Sequence, residues 1–296
     1  MNLVLDLLLL LATIIYSYLS LVKIFIPKRK KSVAGEIVLI TGAGHGIGRM
    51  IAYEFAKQKS KLVLWDINKH GVETAAKCRK LGTAYAFAVD CSNQEEIYKS
   101  VNQVKKEVGN VTIVMNNAGV IYPADLLSTK DEMITKTFKV NILGHFGITK
   151  ALLPSMMKTN HGHIVTVASG AGHMGFTYAI PCCSSKFAVG FHRALTLELE
   201  ALGKTGIKTS CLCPAFVNTG FTKNPSTRLW PLLEPEEVAR TLINGILINK
   251  KMIFVPSYIS TSLILEKFLP ERALAAINHV QNTQFEATVG HKTKMK

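Results

Sequence analysis

Hydrophobic and polar positions form two kinds of segment that alternate along this chain from Glu36 onward. Short runs rich in β-branched residues, such as IVLI and TIVM, are apolar at consecutive positions, which indicates strands buried on both faces of a parallel sheet. Longer amphipathic segments typical of helices lie between them. The strand candidates are 37–41, 61–66, 84–90, 111–116, 163–168, 207–213 and 252–255. The helix candidates include 46–57, 93–108 and 235–248. This alternation predicts a single α/β domain with a Rossmann-like, doubly wound parallel sheet.

The N-terminal pattern is different, because residues 7–22 carry no charge and are mostly apolar. This run is shorter than the roughly 20 residues of a straight membrane-crossing helix. Asp6 precedes it and basic residues follow it at 23 and 28–31, which is the reverse of a signal peptide. Three interpretations stay open: a short signal anchor, a hairpin in one leaflet, or a helix lying in the interface. We expect residues 1–27 to be a membrane or lipid-surface anchor and 28–35 to be a basic linker.

The rest of the chain divides into the predicted α/β domain at 36–256 and an amphipathic C-terminal extension at 257–296. A capping-box pattern at 128–131 predicts the start of another helix. Residues 220–234 are interpreted as a substrate lid, in which Phe221, Leu229 and Trp230 either line an apolar pocket or pack on the surface. The extension contacts lipid, covers the substrate entrance, or packs on the domain.

Composition narrows the choice of partners. The 296 residues include 35 Lys and Arg against 20 Asp and Glu, a formal charge of +15 that favours anionic partners. No nucleic-acid-binding module is recognisable, and the basic residues lie beside apolar stretches, so a membrane surface is the better candidate. None of the six cysteines forms a C-x-x-C pair, so no metal site is expected. The absence of a disulfide pattern favours reduced thiols in a cytosol-facing domain.

A glycine-rich turn follows the first predicted strand and precedes a helix. Glycines let a backbone turn tightly and approach a pyrophosphate, and the helix N-terminus then offers free amides and the positive end of its dipole. This context makes the string a strong dinucleotide-binding signal. The candidate residues are Gly42, Gly44, His45, Gly46, Ile47 and Gly48.

Asp66 ends the second predicted strand in LVLWD. A carboxylate at this place accepts hydrogen bonds from the adenine-ribose hydroxyls and repels a 2′-phosphate, which predicts NAD rather than NADP. Helix capping is the alternative role for this residue.

These motifs, with Asn141, Ser169 and Lys186 further along, resemble the short-chain dehydrogenase/reductase family. The glycine turn resembles its TGxxxGxG motif, residues 116–119 its NNAG motif, and 214–219 its PGxVxT motif. The resemblance implies that Ser169 binds the substrate oxygen, that Lys186 tunes the catalytic acid/base, and that Asn141 holds a water in a proton relay. It also implies cofactor contacts for a further group of residues. They are Asp90 at the adenine, Asn117, Ala118 and Gly119 beside the cofactor, and Pro214, Val217 and Thr219 at the nicotinamide amide.

Cys182 stands where the family has its catalytic tyrosine. We expect Lys186, one helical turn away, to lower the pKa of this thiol. The sulfur nevertheless reaches less far than a phenol oxygen, and Tyr178 is a weak stand-in because Pro181 separates it from the helix. The helix after Lys186 is also one residue shorter than in the family, which rotates the residues beyond it by about 100°. The apolar stripe of Phe191, Leu195 and Leu199 predicts that the helix re-registers.

Over its whole length the chain resembles the hydroxysteroid dehydrogenases of that family. The resemblance implies a homodimer on lipid droplets and the endoplasmic reticulum membrane. It also implies NAD-dependent oxidation of lipophilic alcohols such as steroids, retinol or lipid mediators. Cys182 supports the hypothesis that this chain binds NAD but turns over poorly. The rival functions are a non-catalytic, NAD-binding lipid-surface protein and a thiol-based redox sensor at Cys182 and Cys183.

Overall fold

The structure is a computed structural model that describes residues 3–22, 28–68, 70–228, 230–281 and 285–289. It comprises two compact units, residues 1–31 and residues 32–296. In the first unit, helix α1 spans Leu3–Val22, and its side chains at 7–11 are all exposed. Among the described residues, no helix meets the length and apolarity needed to cross a membrane.

The second unit is built on one parallel sheet of seven strands in the order β3-β2-β1-β4-β5-β6-β7. This arrangement confirms the predicted doubly wound α/β fold. Every predicted strand exists, and the boundaries shift by at most two residues. The strands are β1 Ile37–Thr41, β2 Lys61–Asp66, β3 Ala84–Ala88, β4 Ile113–Asn116, β5 Gly162–Val167, β6 Ile207–Pro214 and β7 Met252–Val255.

Helices connect the strands and continue beyond β7. They are α2 Gly46–Lys57, α3 His70–Arg79, α4 Gln94–Glu107, α5 Asp131–Phe138, α6 Gly144–Thr159, α7 Ile180–Lys186, α8 Val189–Ala201, α9 Pro235–Leu247, α10 Ile259–Glu266 and α11 Glu271–Gln281. Helices α2, α3 and α9 bury their apolar stripes on one face, against Val38 and Ile40 of β1. Helices α4, α6 and α8 pack on the other face, against Leu39. Alternate residues of one strand therefore serve two cores, which explains why the strands are continuously apolar.

The helix that carries the lysine is broken, which the sequence did not indicate, although the predicted apolar stripe of Phe191, Leu195 and Leu199 does face the core. Helix α7 ends at Lys186 and α8 begins at Val189, with a turn between them. The amide of Gly190 donates to the carbonyl of Phe187 at 2.9 Å, which closes this turn. Beyond the break, Leu195 and Leu199 lie in the core, while Phe187 within the turn is exposed.

The predicted capping box is also wrong, although the helix that it predicted exists. Helix α5 begins at Asp131, and its N-cap residue Lys130 makes no side-chain capping bond. The hydroxyl of Ser128 instead donates to the carboxylate of Asp125 at 2.8 Å, and that of Thr129 to the Asp125 carbonyl. Asp125 thus accepts from both hydroxyls, so neither caps the helix. Ser and Thr side chains commonly bond to other nearby groups in this way instead of capping a helix.

Candidate active site

A cavity of about 480 Å³ opens at the carboxyl ends of the central strands. This is the edge of a doubly wound sheet at which ligands bind. Most of the predicted site residues line it: Gly42, His45, Gly46, Ile47, Gly48, Asp66, Asp90, Asn117, Ala118, Gly119, Ser169, Cys182, Lys186, Pro214, Val217 and Thr219. The two exceptions, Gly44 and Asn141, do not line it but are hydrogen-bonded to lining residues, Gly44 to Asp66 and Asn141 to Val120. The fold thus brings the predicted cofactor and catalytic residues into one cavity.

The glycine turn has the geometry of a phosphate cradle. Gly42 has a φ of +63°, a conformation that favours glycine. A Cβ at Gly48 would collide with the Gly42 carbonyl oxygen, so α2 can approach the turn only because this residue is glycine. His45, the N-cap of α2, makes no side-chain capping bond, and the first helical residues face the cavity. A helix N-terminus of this kind fits a pyrophosphate.

The NNAG segment ties β4 to the glycine turn. The hydroxyl of Thr41 accepts from the amides of Asn117 and Ala118, both at 3.0 Å. The side chain of Asn117 donates to the Thr41 carbonyl at 2.8 Å. Its partner Asn116 is fully buried and donates to Thr149. Asn116 therefore has a structural role, while Asn117 lines the cavity and connects the end of β4 to the end of β1.

Asp66 lies at the end of β2 and holds the glycine turn in place. Its Oδ2 accepts from the Gly44 amide at 2.8 Å, and its Oδ1 accepts from the Asn68 amide at 3.0 Å. Arg49 donates from Nε to the Gly44 carbonyl at 2.8 Å, and its Nη2 donates to the same oxygen. The carboxylate faces the cavity, where each oxygen keeps further lone pairs to accept hydroxyl donors.

Asp90 forms a second acidic position on the same side of the cavity. It accepts from the amide and hydroxyl of Ser92 at 2.8 and 2.7 Å, and from Nζ of Lys136 at 3.1 Å. Burial alone would raise the pKa of this carboxyl, but the bonds from Ser92 and the charge of Lys136 lower it below its usual value. Asp90 is therefore ionised and held firmly in place. Lys136 also lines the cavity, and no sequence pattern indicated it because it lies outside the motifs.

Ser169 and Lys186 project from adjacent elements into the cavity. Ser169 follows β5, and its Oγ accepts from the Ala171 amide at 3.1 Å. Nζ of Lys186 donates to the carbonyl of Val167 at 2.9 Å. Burial lowers the pKa of the Lys186 ammonium, while the neighbouring thiols oppose that shift.

Asn141 lies in a π-helical turn, Lys139–Leu143, between α5 and α6. Its Oδ1 accepts from the Val120 amide at 2.8 Å, and its Nδ2 donates to the Val120 carbonyl and to Ser185 at 3.0 and 2.9 Å. π-helical turns of this kind are frequent at functional sites. The Asn141 side chain thus links the loop after β4 to α7. The proposed role in holding a relay water stays a prediction.

The thiol of Cys182 lines the cavity, but its acidity is opposite to the expectation. Burial raises its pKa to about 11, and this effect outweighs the ammonium of Lys186, which lowers it. The predicted effect of Lys186 on this thiol is confirmed in direction, but burial, which the sequence did not indicate, outweighs it and makes Cys182 less acidic than a free thiol. Tyr178 does not replace the missing phenol, because it precedes α7, is 42% exposed and does not line the cavity.

The remaining cavity wall is apolar and aromatic. Its lining includes Ile121, Met174, Phe176, Phe216, Phe221, Trp230, Ile259 and Phe285. The indole of Trp230 stacks on Tyr258 with ring centroids 5.6 Å apart. Of the three residues for which the sequence left a pocket or a surface position open, Phe221 and Trp230 line the pocket, and Leu229 lies outside the described residues. Sequence reasoning missed Phe176, Phe216 and Phe285, because isolated aromatic residues in loops form no periodic pattern.

Similarity to known proteins agrees with the geometry of this cavity. Residues 36–229 match the family model for short chain dehydrogenase. The chain therefore belongs to the short-chain dehydrogenase/reductase family of oxidoreductases. It has the fold with which that family binds nicotinamide dinucleotides.

Individual relatives extend over the whole chain. It is 78% identical to "17-beta-hydroxysteroid dehydrogenase 13" of Homo sapiens, with 100% of both chains covered. It is 64% identical to "Estradiol 17-beta-dehydrogenase 11" of Mus musculus, over 99% of this chain and all of that protein. Among solved structures, a short-chain dehydrogenase/reductase from Burkholderia phymatum in complex with NAD matches with a TM-score of 0.72 and 25% identity. The match covers 79% of this chain and 94% of that one.

Proposed function

We propose that this chain is an NAD-dependent oxidoreductase that acts slowly on hydroxyl groups of lipophilic substrates, with steroid, retinol and lipid-mediator alcohols as the candidate class. The observation that carries the proposal is one cavity in which the glycine turn and Asp66 share a space with Ser169, Lys186 and an aromatic wall. The names of the full-length relatives, hydroxysteroid and estradiol dehydrogenases, support the substrate class.

The residues present fit a nicotinamide dinucleotide. The glycine turn and the N-terminus of α2 would hold the pyrophosphate, Asp66 the adenine-ribose hydroxyls, and Asp90 the adenine side. NAD is favoured over NADP because the Asp66 carboxylate would repel a 2′-phosphate. When bound, the cofactor supplies the hydride acceptor.

The chain's own residues would bind the substrate oxygen well but would remove its proton poorly. The hydroxyl of Ser169 can hold it by a hydrogen bond, and the buried ammonium of Lys186 supplies positive charge that favours a developing alkoxide. A thiol with a pKa of about 11 keeps its proton at neutral pH, so Cys182 is a poor acceptor for the carbinol proton. Oxidation is therefore slowed at its proton-transfer step, while binding is retained.

A second function is supported by the same thiol. If proton transfer limits turnover completely, the chain is a catalytically weak or inactive protein that binds NAD at a lipid surface. The burial of Cys182 favours this alternative over a thiol-based redox sensor, because reactive thiols are acidic and accessible.

For location, we propose the surface of lipid droplets and of the endoplasmic reticulum membrane, with the dehydrogenase domain on the cytosolic side. The support is the exposed apolar surface of α1, where Leu7 to Leu11 are each more than half exposed, and the basic run after it. Deletion of residues 1–22 should move the protein from the floating lipid fraction to the supernatant. Retention of the truncated chain on droplets would contradict this anchor.

We also propose a homodimer, as the family resemblance implies. Mass photometry of the detergent-solubilised chain should show twice the 32.5 kDa chain mass beyond the detergent contribution. A species of one chain mass at all concentrations would contradict it.

The function itself is tested by two measurements on the full chain. Calorimetry should detect NAD binding that is tighter than NADP binding, and NADH formation should be measured with estradiol and with retinol. Binding without turnover selects the weak or inactive alternative, and the absence of NAD binding overturns both functions.

A further inference from the structure

A short piece of the C-terminal tail, residues 285–289, is seated on the loops that surround the apolar end of the cavity. Thr288 forms a parallel bridge with Ala124, in which its amide donates to the Pro123 carbonyl at 3.0 Å. The Asp125 amide donates back to the Thr288 carbonyl at 3.1 Å. These residues lie in the loop after β4, so the tail is attached next to the segment after the NNAG motif.

The same piece of tail is attached to a second loop, located after β6. The amide of Glu286 donates to the carbonyl of Lys223 at 3.1 Å. The side-chain amide of Asn224 donates to the Glu286 carboxylate. The tail therefore connects two loops at the carboxyl edge of the sheet.

These backbone bonds place Phe285 in the cavity wall. Its ring lies 6.4 Å from that of Phe216, which in turn packs edge-on against Phe176 at 5.4 Å. Phe285 also packs on a buried cluster formed by Ala171, Ala179, Cys182 and Cys183. The tail thus reaches the wall beside Cys182, the position at which the family has its catalytic tyrosine.

The polar groups that attach this segment bond to the protein itself and not to a polar ligand. The Glu286 carboxylate is engaged by Asn224, and the amide and carbonyl of Thr288 are engaged by the loop after β4. The segment offers the ring of Phe285 to the cavity. An aromatic ring recognises a hydrocarbon surface through burial and ring packing.

We propose that residues 285–289 form a wall of the substrate site and that Phe285 is a specificity-determining residue for the hydrocarbon body of the alcohol. This inference rests on the proposed function, because it assigns a substrate to the cavity that Ser169 and Lys186 share. The rings of Phe176, Phe216 and Phe285 pack against the substrate body while Ser169 holds its oxygen. The tail is thus part of the site rather than an appendage of the domain.

Binding of estradiol and of 1-hexadecanol to the full-length chain in detergent, measured by calorimetry with NAD present, tests this inference. Phe285→Ala should weaken the binding of at least one of the two alcohols about tenfold, as expected for an aromatic contact at the centre of a site. Phe285→Leu should recover part of the loss, because it restores apolar volume. NAD affinity, measured without alcohol, should change less than about twofold, since the ring packs with Phe216 and the cluster beside Cys182 and not with residues of the glycine turn.

Matched variants distinguish a role of the tail in the cavity wall from a general loss of structure. Phe268→Ala removes the same ring from an 81% exposed position of the same extension and should leave alcohol binding unchanged. Thr288→Pro removes the amide that bonds to Pro123 and should weaken alcohol binding as Phe285→Ala does, whereas Thr288→Ala keeps that amide and should not.

The outcomes are distinguishable. Loss of alcohol affinity in Phe285→Ala and Thr288→Pro, with NAD affinity and the melting temperature retained, supports the inference. It is overturned if both variants bind both alcohols like the parent, or if the parent binds NAD but neither alcohol. Failure of the parent to bind NAD overturns the proposed function instead.

Discussion

Nζ of Lys186 donates a hydrogen bond to the carbonyl oxygen of Val167 at 2.9 Å, which fixes the lysine against the strand that leads to Ser169. The bond is independent of the side chain at position 182. The cation and the serine of the active site are therefore kept together although the tyrosine between them is absent. A restored phenol would have Lys186 one helical turn away to lower its pKa.

The first prediction is that Cys182→Tyr increases NADH formation from estradiol or retinol. A positioned acid/base contributes on the order of 10² to 10⁴ in rate, and we expect the lower end because the helix after Lys186 is broken. The increase should appear in kcat, since the phenol acts on the proton in the transition state. Cys183→Tyr is the matched control, and an equal gain there, or none in Cys182→Tyr, would contradict this explanation.

The second prediction concerns the break between α7 and α8. Insertion of one alanine between Ala188 and Val189 should let α7 and α8 join. The joined helix would gain backbone hydrogen bonds at the present break and would hold the backbone of Lys186 in place. We expect a melting temperature higher by about 2–4 °C, the shift that about 1 kcal/mol produces in a domain of this size. The same insertion after Gly203, in the turn before β6, should not stabilise the protein. An unchanged or lower melting temperature would show that the break is not a defect.

The parallel sheet and the cofactor half of the site were predictable from the sequence because their signals are local. A buried strand followed by glycines and a helix is recognisable within a few residues, as is Asp66 at the end of β2. The helix break was not predictable, because apolar spacing at Leu195 and Leu199 is compatible with both a rotated helix and a new one. The acidity of Cys182 was missed for a related reason. Sequence spacing gives its distance from Lys186 but not its burial, and here burial has the larger effect.

The substrate wall depends on contacts that are far apart in sequence. Phe285 packs near Phe216 in the cavity wall, and Thr288 pairs with Ala124. No periodicity links these positions, so the sequence left three alternatives open for the extension: contact with lipid, cover over the substrate entrance, or packing on the domain.

The third prediction concerns cofactor choice. Asp66→Asn should weaken NAD binding by about tenfold or more, because hydrogen bonds to a charged carboxylate contribute roughly 1.5–3 kcal/mol. NADP binding should weaken less or improve, since the repulsion of its 2′-phosphate is removed. Asp131→Asn, an exposed change at the start of α5, is the control and should alter neither affinity. An unchanged ratio of NAD to NADP affinity in Asp66→Asn would sink the assignment of Asp66 as the selecting residue.

The fourth prediction concerns stability in acid. Burial lowers the pKa of His145 to about 3, and the charge of Lys186 acts in the same direction. The folded state therefore binds fewer protons than the unfolded state between about pH 3 and the usual histidine value near 6.5, so the stability that depends on this group is lost as the pH falls through that range. His145→Leu should flatten the fall in melting temperature between pH 6.5 and 4. His161→Leu removes an exposed histidine that pairs with Glu36 and should not flatten it. An equally steep fall in His145→Leu would assign the acid sensitivity to other groups.

The fifth prediction is that Cys182 reacts with iodoacetamide only at alkaline pH. The thiolate is the reactive form, and a pKa of about 11 makes its fraction rise about tenfold per pH unit up to that value. A short cysteine peptide, with a pKa of about 8.5, should reach its maximum rate about two units earlier. Mass spectrometry of the alkylated chain identifies Cys182 among the six cysteines, and estradiol should slow its labelling because the thiol lines the cavity. A plateau near pH 8 would mean that Lys186 controls the thiol after all, and Cys182 would then be available as a base at neutral pH.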